Sequence, residues 1–296
     1  MNDVLFTRNG QSLLHDPSRV FVPNPDTIPV FIDLDGTCFH FRKEGEAYKD
    51  ARGRERNFHF EDLWEEGYYE NLPEIPEMVE AVQKMHEDNA CISVGDKYIP
   101  IEFYVLSAVL TDSKFAADEK NKAIDRIFPW MSNANRVFVP CGDEAKADRI
   151  LITEKPIRFK ETGECYYTPI LIDDYSKNLW EFIGLEYIKG KHPVIGYTKY
   201  RQTGLALKFY NGINNNFQTW EKSGFDGIKR GMPALGTCIY ILDKVQGLYD
   251  NFEKAKLGHD FNMNSLFQKF SKNKPEYEDI YAEMRNKNTE NREDRI

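Results

Sequence analysis

Two aspartates stand two residues apart, as Asp33 and Asp35, in the segment Phe-Ile-Asp-Leu-Asp-Gly-Thr. A carboxylate can attack phosphorus and form an aspartyl phosphate, which divides one difficult displacement into two easier steps. A neighbouring carboxylate can protonate the leaving oxygen and later take a proton from the attacking water. The spacing therefore predicts Asp33 as a nucleophile and Asp35 as an acid and base. The alternative is a structural Asp-Gly turn, in which Asp33 caps a neighbouring element.

A second acidic pair, Asp173 and Asp174, follows the apolar run 169–172. Carboxylates alone repel a phosphate, so phosphoryl transfer at Asp33 requires a hard cation, which carboxylate oxygens bind well. We therefore predict that Asp173 and Asp174 belong to a metal site. Their alternative role is to cap a helix predicted at 176–183.

Two further side chains are candidates for holding phosphate oxygens. Ser107 ends the apolar stretch 103–106, so its hydroxyl is expected at the same sheet edge as Asp33. Lys146 stands at the start of a predicted helix and offers a positive charge for the transition state, a role for which Lys155 and Lys160 compete. The alternatives are a capping hydroxyl and a solvated surface lysine.

The chain around these groups alternates between short apolar runs and helical patterns. Continuous apolar runs are typical of strands buried on both faces, and helices between them connect parallel strands. The predicted strands cover residues 29–34, 101–110, 136–140, 169–172 and 194–197, and the predicted helices cover 75–85, 118–127, 144–151 and 176–183. This alternation predicts an α/β fold with a parallel sheet. Open sheets of this kind bind ligands at the carboxyl ends of their strands.

The same pattern divides the chain into three predicted parts. They are a core of residues 1–38 and 100–200, an inserted cap of residues 39–99, and a C-terminal extension of residues 201–296 packed on the core. A hairpin is predicted within 90–99, because Gly95-Asp96 is a turn dipeptide between two apolar runs. The tail of the extension is almost wholly polar, which is typical of a solvated or frayed terminus.

Composition excludes several classes of function. A net charge of -9 is unfavourable for a protein that follows a nucleic acid polymer, which needs a concentrated positive surface. The five cysteines never form Cys-x-x-Cys, so we expect neither a disulfide framework nor structural zinc, and a reducing cytoplasm fits best. Neither a leader sequence nor a membrane span is expected. The composition leaves a homo-oligomer open.

The order of these motifs resembles the haloacid dehalogenase-like superfamily. The shared order, within residues 28–184, is a strand with Asp-x-Asp-Gly-Thr, a strand with Ser, a lysine, and a strand ending in Asp-Asp. Among its members the chain is most similar to the 5'(3')-deoxyribonucleotidases, through Gly-Tyr-Tyr-Glu-Asn-Leu-Pro-Glu-Ile-Pro at 67–76. The resemblance implies a Rossmann-like three-layer core with a central parallel sheet, a mainly helical cap inserted after the first core strand, and Mg2+.

The resemblance also implies a role for each candidate residue. Asp33 becomes the nucleophile and Asp35 the general acid and base, and an aspartate at position 35 favours a phosphatase over other members. The implied metal ligands are Asp33, the backbone carbonyl of Asp35, and either Asp173 or Asp174. The implied phosphate contacts are Ser107 and Lys146.

The predicted cap offers aromatic side chains that can stack on a nucleobase. The candidates are Phe39, Phe41, Trp64, Tyr68 and Tyr69, and the alternative is that they form the core of the cap itself. Arg42 and Lys43 can attract an anionic substrate, although a solvated charge pair is the commoner arrangement.

The leading functional hypothesis is hydrolysis of nucleoside or deoxynucleoside monophosphates by a magnesium-dependent phosphatase. A phosphatase of sugar phosphates or other small metabolites is the alternative within the same class. A binding or regulatory protein that keeps a phosphatase scaffold, and uses residues 199–296 for a partner, is the alternative from a different class.

Overall fold

The computed structural model describes residues 4–6, 12–14, 21, 23–50, 52–141, 146, 158–159, 165–167, 169–182, 205–211 and 227–256. They form a mixed α/β fold around a curled, mostly parallel central sheet. None of the helices in these ranges is long and apolar enough to cross a lipid bilayer.

Seven strands form the central sheet. They are β3 (Ile28–Ile32), β6 (Cys91–Val94), β7 (Lys97–Val109), β8 (Arg136–Pro140), β11 (Ile170–Asp173), β12 (Leu205–Tyr210) and β13 (Gly227–Lys229). Their order is β13-β12-β11-β3-β7-β6, and β8 also pairs with β7. All pairings are parallel except that between β6 and β7.

Short strand pairs lie outside this sheet. They are β1 (Val4–Phe6) with β2 (Ser12–Leu14), β4 (Ala47–Lys49) with β5 (Glu55–Asn57), and β9 (Arg158–Phe159) with β10 (Cys165–Tyr166). The α-helices are α1 (Pro76–Glu87), α2 (Ala116–Ile127), α3 (Ser176–Phe182) and α4 (Ala234–Lys256). Short 3-10 helices cover Phe60–Trp64 and Asn133–Asn135.

The central strands are buried on both faces, as their continuous apolar sequence predicts. Val30 and Ile32 of β3 belong to a core cluster with residues of α1, α2 and α4. The intervening Phe31 belongs to a second cluster with Leu179 and Phe182 of α3. Successive residues of a strand point to opposite faces, so helices cover β3 on either side.

The predicted elements in the described residues are confirmed within a few positions. Each of the first four predicted strands corresponds to a sheet strand, β3, β7, β8 or β11, and the helices predicted at 75–85, 118–127 and 176–183 are α1, α2 and α3. The hairpin predicted within 90–99 is the antiparallel pair of β6 and β7. The strand at 194–197 lies outside the described residues, as does the helix at 144–151 apart from Lys146.

Two regions differ from the simple division into core, cap and extension. β7 runs without interruption across position 99, so its first residues pair with β6 and its later ones with β3 and β8. Residues 201–296, predicted as an extension packed on the core, contribute β12 and β13 to the central sheet itself. The Gly and Asn residues of this segment obscured the short apolar runs that form its strands.

Candidate active site

The carboxyl ends of β3, β7 and β11 meet at one edge of the central sheet. The parallel register sets Ile32 of β3 level with both Val105 of β7 and Ile172 of β11. The amide of Asp33 donates a hydrogen bond to the carbonyl of Ile172 at 2.9 Å, which places Asp33 directly beside Asp173. Such an edge is where open α/β sheets hold their ligands.

Three carboxylates cluster at this edge. Asp33, Asp173 and Asp174 are all buried, and one oxygen of each lies within 4.8 Å of the others. Burial of like charges this close is unfavourable unless cations or hydrogen-bond donors compensate for it. The cluster therefore requires positive partners.

Lys146 supplies one such partner. Its Nζ atom lies 2.7 Å from Oδ1 of Asp33 and 2.6 Å from Oδ2 of Asp173, and its side chain is buried. Although burial lowers the pKa of Lys146, the charges of Asp173 and Asp33 raise it above its ordinary value, so this lysine stays protonated. The bridge accounts for two of the three N–H donors of the ammonium group.

Asp173 is also held by residues that follow it in the chain. Its Oδ1 accepts a hydrogen bond from the amide of Tyr175 at 2.7 Å, and its Oδ2 accepts one from Asn178 at 2.9 Å. Burial raises the pKa of Asp173, while Lys146 opposes this rise. The bond from Tyr175 closes a local turn between β11 and α3, and Oδ2 of Asp173 belongs to the acidic cluster.

Asp174 is held by Lys208 of β12 and by Asn211, which directly follows that strand. The amide nitrogen of Asn211 donates to Oδ2 of Asp174 at 2.7 Å and to the carbonyl of Gly36 at 2.8 Å. Lys208 donates to the carbonyl of Asp174 at 2.7 Å and to the hydroxyl of Ser176 at 2.8 Å. Burial lowers the pKa of Lys208 to about 8.

Gly36 has to be a glycine for two reasons. Its φ of +81° lies in the left-handed region, and a Cβ at this position would lie 2.3 Å from Oδ2 of Asp174. The Asp-Gly-Thr turn is thereby packed directly against the acidic cluster.

Asp35 faces a different lysine. Nζ of Lys120, in α2, lies 2.5 Å from Oδ2 of Asp35, 3.3 Å from the Ser107 hydroxyl and 2.5 Å from the carbonyl of Ala108. The ring of Tyr69 lies over the same ammonium group, 4.9 Å from ring centroid to Nζ. Burial raises the pKa of Asp35, the Lys120 charge opposes this rise, and the charge of Asp33 adds to it.

The residue beside Lys120 joins α2 to the loop that precedes α1. Glu119 is buried and accepts hydrogen bonds from the amides of Gly67 at 2.5 Å and Tyr69 at 3.0 Å. Two consecutive side chains of one helix therefore hold the segment containing Tyr69 and the carboxylate of Asp35.

The predicted aromatic residues occupy different environments. Tyr68 and Tyr69 are buried, and burial together with the charge of Asp35 raises the pKa of both phenols. Phe41 is partly buried and packs edge-to-face against Phe58 and Tyr68.

Trp64 is 42% exposed on its short helix. Phe39 is buried in the core, and Arg42 is buried with its guanidinium 4.3 Å from the ring centroid of Tyr48.

Sequence analysis missed three polar residues of this edge, namely Lys120, Lys208 and Asn211. Lys120 left a detectable signal, because it occupies the same helix face as Ala116, Ala123, Ile124 and Ile127, all of them buried. A lysine on the apolar face of an amphipathic helix needs a partner in the interior. The rival lysines Lys155 and Lys160 lie outside the described residues.

The acidic cluster has the chemistry of a site for a hard divalent cation. Carboxylate oxygens are the ligands that Mg2+ and Ca2+ prefer. The ammonium group of Lys146 balances only part of the negative charge of the three carboxylates, and a divalent cation would balance more of it. The buried oxygens of Asp33, Asp173 and Asp174 therefore fit a divalent metal.

Comparison of the sequence with known protein-family models and with curated proteins finds no match. The family resemblance consequently remains a prediction that rests on the motifs and their spacing.

Proposed function

We propose that this protein is a magnesium-dependent phosphomonoester hydrolase of the haloacid dehalogenase-like superfamily, with an aspartyl-phosphate intermediate on Asp33. The observation that carries the proposal is the meeting of three motifs at one sheet edge. Asp33, Lys146 and Asp173 form a continuous ion-paired group, and Asp35 and Ser107 share the ammonium of Lys120. Nucleophile, acid and base, phosphate ligands and metal ligands are thus within reach of one another.

In the first step the carboxylate of Asp33 attacks phosphorus, and the bond from phosphorus to the leaving oxygen breaks. The leaving oxygen takes the electron pair of that bond and a proton from Asp35. Because burial raises the pKa of Asp35, a protonated form is accessible for this donation. The hydroxyl of Ser107 and the third N–H of Lys146 are suited to donate hydrogen bonds to phosphoryl oxygens.

In the second step water hydrolyses the aspartyl phosphate. Asp35 is now a carboxylate and takes a proton from the attacking water. The oxygen of that water attacks phosphorus, and the bond between phosphorus and Asp33 breaks to restore the free carboxylate of Asp33. Lys120 favours the ionised form of Asp35 that this step needs.

The residues that would hold Mg2+ are Asp33, Asp173 or Asp174, and the backbone carbonyl of Asp35. When bound, a divalent cation neutralises phosphate charge and allows an anionic nucleophile to approach an anionic ester. These residues orient the phosphate whether or not water molecules supply further ligands to the ion.

The proposed fold is the Rossmann-like three-layer core of that superfamily, with residues 39–99 as the cap. Core clusters on both sides of β3 support three layers. The cap segment combines α1 with the strands β4, β5 and β6, and the ring of Tyr69 in its loop lies over Lys120, the partner of Asp35. A reducing cytoplasm is part of the proposal, since Cys38 and Cys238 are buried free thiols.

A nucleoside monophosphate is the proposed substrate. Tyr69, whose ring lies over the ammonium group of Lys120, and Trp64, exposed on the same segment, are aromatic side chains suited to a flat base. A sugar phosphate would instead require a polar lining.

Release of inorganic phosphate by the purified protein, with and without Mg2+, tests the proposed reaction. Asp33→Asn should abolish Mg2+-dependent release, whereas Asp26→Asn, an exposed aspartate before β3 at the opposite end of the sheet, should leave it unchanged. Equal release by wild type and Asp33→Asn would remove Asp33 from the mechanism.

A panel of phosphomonoesters then identifies the substrate, and equal turnover of nucleotides and generic esters would exclude a nucleotidase.

A further inference from the structure

Lys120 is a buried charged residue to which the proposed mechanism assigns no contact with the substrate. Its side chain is 3% exposed, yet it lies in α2 rather than on any strand that ends at the site. Removing an ammonium group from water is costly unless its donors are satisfied. The partners that satisfy the donors of Lys120 therefore indicate its role.

The hydrogen bonds of Lys120 leave its ammonium group no spare donor. The group has three N–H bonds. Its three acceptors are Oδ2 of Asp35, the hydroxyl of Ser107 and the carbonyl of Ala108. The ring of Tyr69 closes another side of the group. Lys120 would have to release one of these partners in order to bind a phosphate oxygen. It is therefore better suited to hold these protein groups in place than to bind the substrate.

The two oxygens of Asp35 are treated differently. Oδ2 is held by Lys120, whereas Oδ1 is buried and has no hydrogen-bond partner within the described residues. A carboxyl group that transfers a proton needs one oxygen free to reach the leaving group and the other fixed, so that the free oxygen keeps its direction. The hydrogen bonds of Asp35 have this asymmetry, with Oδ2 fixed and Oδ1 unpaired among the described residues.

Two contacts make α2 a rigid support for this arrangement. Glu119 binds the amides of Gly67 and Tyr69, and the helix buries its apolar face in the core. The position of Nζ is therefore set by packing that does not depend on a bound substrate.

We propose that Lys120 is a positioning residue, which fixes Oδ2 of Asp35 so that Oδ1 faces the leaving-group oxygen during transfer of the phosphoryl group to Asp33. This role rests on the proposed phosphatase function. It predicts that Lys120 matters most when the leaving group needs a proton.

Two esters with different leaving groups separate this role from a general structural one. The alcohol of a nucleoside 5'-monophosphate must be protonated as it leaves, whereas 4-nitrophenolate leaves as a stable anion. The ratio kcat/KM reports on the steps up to transfer of the phosphoryl group to Asp33, so it excludes hydrolysis of the intermediate.

Lys120→Met should lower kcat/KM for the nucleoside monophosphate by about 100-fold, the scale of general acid catalysis, and for 4-nitrophenyl phosphate by less than about 5-fold. Lys122→Met is the matched control, since Lys122 is exposed on the same helix and pairs with Glu70 and Asp118. It should leave both values unchanged. The double variant Lys120→Met/Asp35→Asn should lose no more than Asp35→Asn alone, because Lys120 acts through Asp35.

Circular dichroism and thermal unfolding show whether Lys120→Met is folded, and Lys120→Gln, which keeps a donor, provides a second variant for the same two esters. Equal losses with both esters, or no loss with either, would overturn the positioning role while Asp33→Asn still abolished turnover. Unchanged turnover in Asp33→Asn would overturn the proposed function and the role of Lys120 with it.

Discussion

Nζ of Lys146 lies 2.7 Å from Oδ1 of Asp33, the proposed nucleophile, and the same atom contacts Asp173 at 2.6 Å. One ammonium group thus couples the carboxyl ends of two neighbouring strands. The pair is buried, so its loss affects both stability and chemistry.

Lys146→Met should destabilise the protein by about 3–5 kcal/mol, because it leaves two buried carboxylates without their cation. Urea unfolding measures this change, with Lys122→Met as a control for loss of an exposed lysine. Mg2+ should restore part of the stability, because it replaces the missing charge, but phosphate release should stay at least about 100-fold below wild type. Wild-type stability in Lys146→Met would show that the ion pair contributes nothing.

Mg2+ should raise the midpoint of thermal unfolding of the wild type, because a ligand of the folded state stabilises it by mass action. At a concentration about 100 times the dissociation constant, the gain is about 2.7 kcal/mol. Asp174→Asn should abolish the effect and Asp26→Asn should not. In the absence of Mg2+, Asp174→Asn should be at least as stable as the wild type, since the substitution removes one of the like charges clustered with Asp33 and Asp173. Undiminished stabilisation of Asp174→Asn by Mg2+ would exclude this carboxylate as a ligand.

Gly36→Ala and Gly45→Ala form a matched pair. Both glycines have positive φ, +81° and +79°, but a Cβ at Gly36 meets Asp174 and Asn211, whereas a Cβ at Gly45 meets no atom within 4 Å. Gly45→Ala should cost about 1–2 kcal/mol in the free energy of unfolding and leave activity intact. Gly36→Ala should cost more and also weaken Mg2+ binding, measured by titration calorimetry. Similar effects of the two substitutions would show that the close approach to Asp174 is unimportant.

Glu119→Gln should loosen the loop that carries Tyr69. A carboxylate accepts from both amides, Gly67 and Tyr69, but one end of a glutamine amide cannot accept, so one buried N–H loses its partner at a cost of about 1–3 kcal/mol. Hydrogen exchange of these two amides should accelerate. Asp118→Asn, which changes a half-exposed neighbour, should leave both exchange rates as they are. Unchanged protection in Glu119→Gln would mean that other contacts hold the loop.

The local sequence was sufficient for the sheet around Asp33 and for the identity of the acids. Buried strands such as β3 and β11 are continuous apolar runs, and helices such as α1 and α2 repeat their apolar residues at helical spacing, so both patterns are visible within about ten residues. The Asp-x-Asp-Gly-Thr and Asp-Asp motifs follow such runs directly. Their meeting at one edge follows from parallel pairing alone.

The tertiary structure decided which cations and amides serve those acids. Lys120 reaches the site from α2, whereas Lys208 lies on β12 and Asn211 directly follows that strand. The local sequence around each of them resembles that of other helices and strands. Likewise, whether Tyr68 lies buried and Trp64 exposed depends on what packs against each ring. Sequence patterns record the periodicity of one segment, whereas the partner of a buried charge is set by packing between segments. That physical difference is why the position of Asp33 and Asp35 at the end of a strand was predictable from the sequence and the lysine that holds Asp35 was not.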